Sequence, residues 1–423
     1  MQSQENTKQK PKDKSSNKMR LEAFDTSWVI GLFGTAVGAG ILFLPINAGM
    51  GGFWPIALMS LFIFPMIFLS HRSLSRFVLC AKHPDKDITH VVEEYFGSGV
   101  GKLITVLYFF AIYPICLAYG VGITNTLDSF LTYQMHLQPT NRLLLAFVLI
   151  SAMMLVMSFN ERIMLRFSQA LTYPLIIALM GFSLYLIPYW KIDALLEIPS
   201  PKQFANVLWI TLPVLIFSFN HSPAISAFSL SIRKAYKSQA LEKSNQILFV
   251  TSGLLLIFVM FFVFSCILCL SPLELQAARE QNIPILSYFA NKFDNPIISY
   301  VAPLIAFTAI TTSFFGHYLG AREGLNGIIR KYTKQNDLNK TIKTFSALFI
   351  YITMIATAYV NPSILGFIES LGGPIIAVIL FLLPVAAIYK IPSMRHFANP
   401  LADGFIVITG LIAISAILYQ FTQ

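Results

Sequence analysis

Apolar positions along this 423-residue chain gather into eleven long stretches separated by short polar loops. A bilayer core is crossed by about 20 apolar residues in a helix. The stretches fall at roughly 24–46, 53–75, 101–131, 142–159, 167–190, 204–231, 246–271, 296–320, 344–360, 363–389 and 403–421. Each predicts a membrane-crossing helix, so the fold class expected is an all-α integral membrane protein. Two stretches carry residues that a helix interior tolerates poorly. The first contains Gly38-Ala39-Gly40 followed by Pro45, and the sixth contains Ser218-Phe219-Asn220-His221-Ser222-Pro223. Lipid offers no hydrogen bonds to a freed backbone, so such breaks survive only where protein or a wet cavity surrounds them. Two breaks five stretches apart predict the central binding site of an inverted-repeat secondary transporter.

Five spans per half is an odd number, so a second copy of the unit enters the membrane from the opposite side. Residues 24–190 and 204–389 form the expected pair of repeats within one domain over 24–423, with 403–421 as an additional helix. Residues 1–23 are polar and basic and read as a disordered cytosolic tail, with no apolar h-region of a cleaved signal. After Asp87, the residues Ile88, Val91, Val92, Tyr95 and Phe96 recur at helical spacing up to Gly97. Asp is a good N-cap and Gly a good stop, so a short amphipathic helix is expected on the cytosolic surface. The loop 272–296 reads equally as a lid or a plain surface hairpin.

Only 12% of the residues are charged, against 56% hydrophobic. A soluble domain carries about a quarter charged residues, and no polar stretch here is long enough to bury a core. The net charge of +10 therefore reads as topology rather than nucleic-acid binding. With the N-terminus inside, 25 of the 30 Lys and Arg fall in cytosolic segments, as the positive-inside rule requires. The chain is thus expected to be multi-pass, with its N-terminus in the cytosol. The four cysteines suggest no disulfide framework. Cys266 and Cys269 form a CxxC inside an apolar stretch, without a nearby His or acid to complete a metal site. Neither a metal nor a cofactor is expected, and oligomeric state is left open.

At a broken helix, free N–H groups suit a carboxylate and free C=O groups suit a cation or an ammonium. An α-amino acid carries both charges on one carbon, so paired breaks fit its backbone. The substrate-binding residues expected are Thr35, Ala36, Gly38, Ala39 and Gly40 at the first break, and Phe217, Ser218, Phe219, Asn220, His221 and Ser222 at the second. Tyr113, near the middle of the third span, is expected to assist. Glu369, with no cation near it in sequence, and His317, about one turn from the cytosolic end of its span, are gate or proton candidates. Thr311, Thr312 and Ser313 place three hydroxyls together, although such groups often bond back to their own helix.

The run Phe33-Gly34-Thr35-Ala36-Val37-Gly38-Ala39-Gly40-Ile41-Leu42-Phe43-Leu44-Pro45 resembles the hydroxy/aromatic amino acid permease family of bacteria, its serine and threonine permeases above all. The resemblance continues through Tyr119-Gly120-Val121-Gly122-Ile123-Thr124-Asn125-Thr126 and Ser313-Phe314-Phe315-Gly316-His317-Tyr318-Leu319-Gly320, and covers nearly the whole chain after residue 24. It implies the LeuT-type fold of five plus five inverted helices, the first and sixth interrupted. It also implies cation-driven uptake of a small amino acid through the bacterial inner membrane. In sodium-coupled relatives of that fold the ion rests between the first break and a Thr-Ser pair on the eighth span; Gly34, Val37, Ala309, Thr312 and Ser313 match those places. Proton-coupled permeases of the resembling group carry a lysine where Thr312 stands, which turns the expectation towards sodium, with H+ as the family's usual coupling ion. The leading reading is thus a serine or threonine symporter and not an enzyme. The alternatives are an aromatic (tryptophan/tyrosine) permease and a membrane sensor that binds an amino acid without moving it.

Overall fold

The computed structural model describes residues 21–83, 85–138, 141–159, 161–335 and 338–420. The tail expected over 1–23 thus lies, but for its last three residues, outside the described part. Among the described residues every regular element is helical. The first apolar stretch forms α1 (Ala23–Ala36) and α2 (Ala39–Gly49), which meet at a 50° bend. There follow α3 (Phe53–Leu79), α4 (Ile88–Tyr133), α5 (Arg142–Ser158) and α6 (Glu161–Tyr185). The sixth stretch is again divided, into α7 (Pro201–Ser218) and α8 (Ser222–Tyr236). Then come α9 (Ala240–Cys269), the short α10 (Pro272–Glu280) and α11 (Ile285–Lys292), α12 (Pro296–Thr333) and α13 (Lys340–Val360). The chain ends in α14 (Ile364–Lys390) and α15 (Pro400–Gln420).

Every expected span has its helical counterpart. Seven helical runs are long and apolar enough to cross a bilayer, and the bent pair α1/α2 is an eighth. One of the seven, Pro201–Cys269, contains both the divided sixth span and the seventh, and the two shorter apolar helices Arg142–Ser158 and Pro400–Ala416 complete the set. The protein is a multi-pass membrane protein of the interrupted-helix class.

Local chemistry explains both interruptions. α1 stops where Val37 leaves helical geometry while its N–H still reaches Phe33 C=O at 2.9 Å. At the second break Asn220 Oδ1 accepts the Ser222 N–H at 3.0 Å, and Pro223 sits in the first turn of α8, where a proline's missing N–H costs nothing. α14 bends differently, through π-helical turns at Ile368–Gly372 and Val378–Leu382. Such turns recur at functional sites, and the first holds Glu369.

α12 packs against α4, through small residues that allow close approach. A Cβ on Gly324 would stand 3.0 Å from Phe109 Cα, and one on Gly327 2.9 Å from Thr89. The expected helix after Asp87 is present: Asp87 accepts the Thr89 and His90 amides, and Gly97, at φ 82°, separates it from the rest of α4. It does not lie free on a surface. Ile88, Val91, Val92 and Tyr95 are buried, and the Tyr95 hydroxyl donates to Phe77 C=O at 3.2 Å. The loop over 272–296 forms the helical pair α10/α11, which caps the end of α2: Leu275 would touch a Cβ on Gly49 at 2.5 Å.

Candidate functional site

The two breaks meet in the interior, and glycines make the meeting possible. A Cβ on Gly40 would stand 2.6 Å from Phe217 Cδ1 and 2.7 Å from Ser218 Cα. One on Gly38 would stand 2.4 Å from both Cβ and Oγ of Ser313, and 2.9 Å from the Tyr119 hydroxyl. Ala36 and Ala39 are buried in the same seam. The carbonyl of Thr35, freed near the end of α1, accepts the Ser313 hydroxyl at 2.5 Å. Tyr119 donates to Ser313 Oγ in turn at 2.7 Å. His317 Nδ1 donates to Ser313 C=O at 2.9 Å, and its ring meets that of Tyr119 edge-on at 5.2 Å. One hydrogen-bonded chain therefore links α4 and α12 to the first break.

The second break is built around two histidines. His71, on α3, lies parallel to His221 with ring centroids 3.6 Å apart and 9° between planes. His71 Nδ1 donates to Ile67 C=O at 2.8 Å, so its Nε2 is the acceptor for the His221 backbone N–H at 3.2 Å. His221 Nδ1 donates to Phe219 C=O at 3.2 Å. His221 Nε2 is then a bare acceptor, buried without a hydrogen-bond partner, and the neighbouring Asn220 Nδ2 is a buried donor without one. Both side chains are almost wholly buried, at 0% and 1% exposure. Phe217, Phe219, Ser218 and Ser222 are buried around them, with Ser218 Oγ bonded back to Val214 C=O at 2.7 Å.

Several expected residues fall elsewhere. Tyr113 does not join the breaks: its ring stacks on Phe109 and on Phe349 of α13. Tyr119, on a different face of α4, is the phenol at the first break. α12 itself continues past His317 to Thr333, about four turns further on. Among the matched ion-site residues, Ser313 reaches the first break, and Val37 and Ala309 are buried. The Thr312 hydroxyl instead bonds its own helix at Thr308 and Ala309 C=O, and Thr311 does the same at Phe307. Gly34 faces α6, where a Cβ would stand 2.4 Å from Thr172 Oγ1.

Glu369 does have a cation. Arg279 of α10 donates to its Oε2 at 2.9 Å, and Asn47 at the end of α2 donates to Oε1 at 2.8 Å. This triad lies on the side of the breaks away from the basic loops. A cavity of about 630 Å³ lies beside it, lined among others by Asn47, Pro213, Arg279 and Glu369. On the basic face, Asp25 of α1 accepts Tyr236 OH at 2.6 Å and Lys243 Nζ at 2.9 Å. Ser226 of α8 accepts the Ile88 N–H and donates to Glu323 at 2.9 Å. Polar side chains on different helices are thus joined on both sides of the breaks.

The sequence pattern extends this geometry to known proteins. The model of the tryptophan/tyrosine permease family matches residues 22–421. The chain belongs to that family. This permease is 51% identical over 406 residues to the serine transporter SdaC of Escherichia coli (strain K12), covering 94% of each chain. It is 41% identical over 421 residues to the threonine/serine transporter TdcC of Yersinia enterocolitica, covering 94% of this permease and 95% of TdcC. Its fold is similar to that in the crystal structure of MhsT in complex with L-phenylalanine, with TM-score 0.51 at 15% identity over 94% of this chain and 97% of that one. At that identity the likeness concerns the fold alone, the LeuT-type inverted repeat. The permease is accordingly not an enzyme.

Proposed function

We propose that this permease carries L-serine or L-threonine into the cytosol across the bacterial inner membrane, in symport with a cation, either H+ or Na+. Its basic loops would face the cytosol, with the Arg279–Glu369–Asn47 triad outside. The paired breaks supply backbone groups for the carboxylate and ammonium that all amino acids share. The reading of the side chain rests on one observation: Asn220 Nδ2 and His221 Nε2 are a buried donor and a buried acceptor on adjacent residues, neither with a partner. A hydroxyl is the group that accepts from the first and donates to the second. An unmatched buried polar atom costs about 1–3 kcal/mol, so a ligand that satisfies both gains over one that satisfies neither. The names of the SdaC and TdcC relatives support the same substrates.

Competition decides this. Uptake of labelled serine by the full chain in proteoliposomes should be blocked by unlabelled serine or threonine and hardly by alanine, tryptophan or tyrosine. Blocking by tryptophan or tyrosine in preference to serine would instead favour the aromatic substrates of the family's description. Imposing sodium and proton gradients separately identifies the ion.

A further inference from the structure

The geometry points to the stacked pair His71–His221 as the site that binds a coupling proton, which His71 takes at Nε2. This rests on the reading above, in which the second break binds the substrate.

His71 uses both ring nitrogens in the free protein. Nδ1 is committed as a donor to Ile67 C=O, and Nε2 holds the backbone N–H of His221. That N–H belongs to the break itself, at the residue immediately before α8. It is one of the groups that an unwound helix start offers to a carboxylate. In the neutral state the imidazole of α3 occupies it. A proton arriving from water forms a new N–H bond at His71 Nε2 and turns an acceptor into a donor. Two donors then face each other across 3.2 Å, the hydrogen bond is lost, and the His221 N–H is released. The imidazolium so formed adds a positive charge beside the break. Both consequences favour an anionic carboxylate, so proton and amino acid bind each other's preferred state, as coupling through differential affinity requires.

The second ring limits the count. Two imidazolium rings stacked at 3.6 Å repel strongly, so the pair holds a single proton, and His221 Nε2 stays an acceptor for the substrate hydroxyl. Histidine is the side chain whose ordinary titration lies near neutral pH.

The charged groups on the surrounding helices leave the pair alone. On α3, Arg72 packs over Phe68 and Arg76 over Phe397. α8 carries Arg233, Lys234 and Tyr236 in its last turn, with Tyr236 bonded to Asp25. α9 brings Glu242 and Lys243, the latter paired with Asp25. α7 has Lys202 at its far end, α14 has Tyr389 and Lys390, and α15 has Asp403, which accepts Tyr389 OH. Of the nearby α4 groups, Asp87 is held by Thr89, His90 and Arg330, and Glu93 is paired with Lys331. Glu323 of α12 is bonded to Ser226. Among the described residues none of these hydrogen-bonds or pairs with either imidazole.

The test measures serine binding to the purified full chain in sodium-free, weakly buffered detergent solution between pH 5 and 8, with a pH dye reading protons. The wild-type protein should take up protons when serine is added, approaching about one per serine on the alkaline side, where the Kd should rise by up to about tenfold per pH unit. Two variants should lose that dependence in different ways. His71→Gln keeps an acceptor but cannot hold the proton, so its Kd should stay flat at the weak, high-pH value. His71→Phe keeps the stacking and accepts nothing but carries no charge, so its Kd should stay flat between the two wild-type limits, tighter than that of His71→Gln. A folded variant that retains the wild-type pH slope overturns the proposal. So does wild-type serine binding without proton uptake, a measurement that stands even where the variants fail to assemble. Failure of the wild-type protein to bind serine at any pH overturns the substrate reading first, and this proposal with it.

Discussion

Replacing Gly38 by alanine adds one methyl group at the tightest point of the site. Its Cβ would lie 2.4 Å from Ser313 Cβ and Oγ and 2.9 Å from the Tyr119 hydroxyl, well inside contact distance. A flexible side-chain tip could swing away, but Ser313 Cβ is fixed to α12. Relief therefore requires the first break to move off α12, which strains the Thr35–Ser313–Tyr119 chain. Overpacking of this kind costs about 1–3 kcal/mol. If that falls on the substrate-competent state, uptake drops by about five- to 150-fold. Gly31, on α1 before the break, is the control, because a Cβ there meets nothing within 4 Å. Initial rates of labelled serine uptake, normalised to protein in the membrane, should therefore fall for Gly38→Ala and hold for Gly31→Ala. Since the clash is with Ser313, Gly38→Ala combined with Ser313→Gly should be no worse than Ser313→Gly alone, a non-additivity that separate sites do not show. Transport by Gly38→Ala within twofold of wild type, or an equal loss in Gly31→Ala, would refute the close approach.

The remaining expectations use other contacts. Tyr119→Phe removes one buried hydrogen bond, about 0.5–1.5 kcal/mol, and should slow uptake by about two- to tenfold, whereas Tyr113→Phe should leave it unchanged; equal effects in the same assay would contradict the separation of the two rings. Glu369→Gln and Arg279→Ala break a partly buried pair worth about 1 kcal/mol, so each should change the uptake rate by about fivefold and the double variant no further; additive changes would contradict the pairing. Glu274, in the cap formed by α10 and α11, is pushed up by burial, but hydrogen bonds from Lys292 and Ser271 outweigh this and hold its carboxyl at about 2. A carboxyl depressed in the folded state contributes fully above its ordinary value, near 4.5, and loses that contribution as pH falls towards about 2. Hydrogen exchange of α10 and α11, corrected for intrinsic rates, should accelerate across that window in wild type and not in Glu274→Gln.

The span count and both breaks were legible because lipid punishes any residue that frees the backbone, and Gly38, Gly40, Asn220 and Pro223 stand out against apolar surroundings. The pairing of Glu369 with Arg279 was not, since 90 positions separate them and only the folding of α10 over α2 brings them together. Tyr113 and Tyr119 lie on different faces of α4, and in a helix apolar on nearly all sides no periodicity says which face looks inward. His71 was hidden by its neighbours: beside Arg72 it resembles the polar end of a span, although it is 1% exposed. Its signal was the cost of a ring that needs hydrogen bonds within an apolar helix. The hydroxyls of Thr311 and Thr312 went the other way, for their local bonding to α12 satisfies them without a partner helix.

The central claim is that the two breaks move an amino acid across the membrane rather than merely hold it. Sealed proteoliposomes containing only the purified chain test it, with labelled serine at equal concentration on both sides and a proton or sodium gradient imposed. The expected result is accumulation inside above the outside concentration, collapsing when the gradient is dissipated. Binding of serine by the same preparation without any accumulation, under either gradient, would contradict the account and leave a sensor in its place.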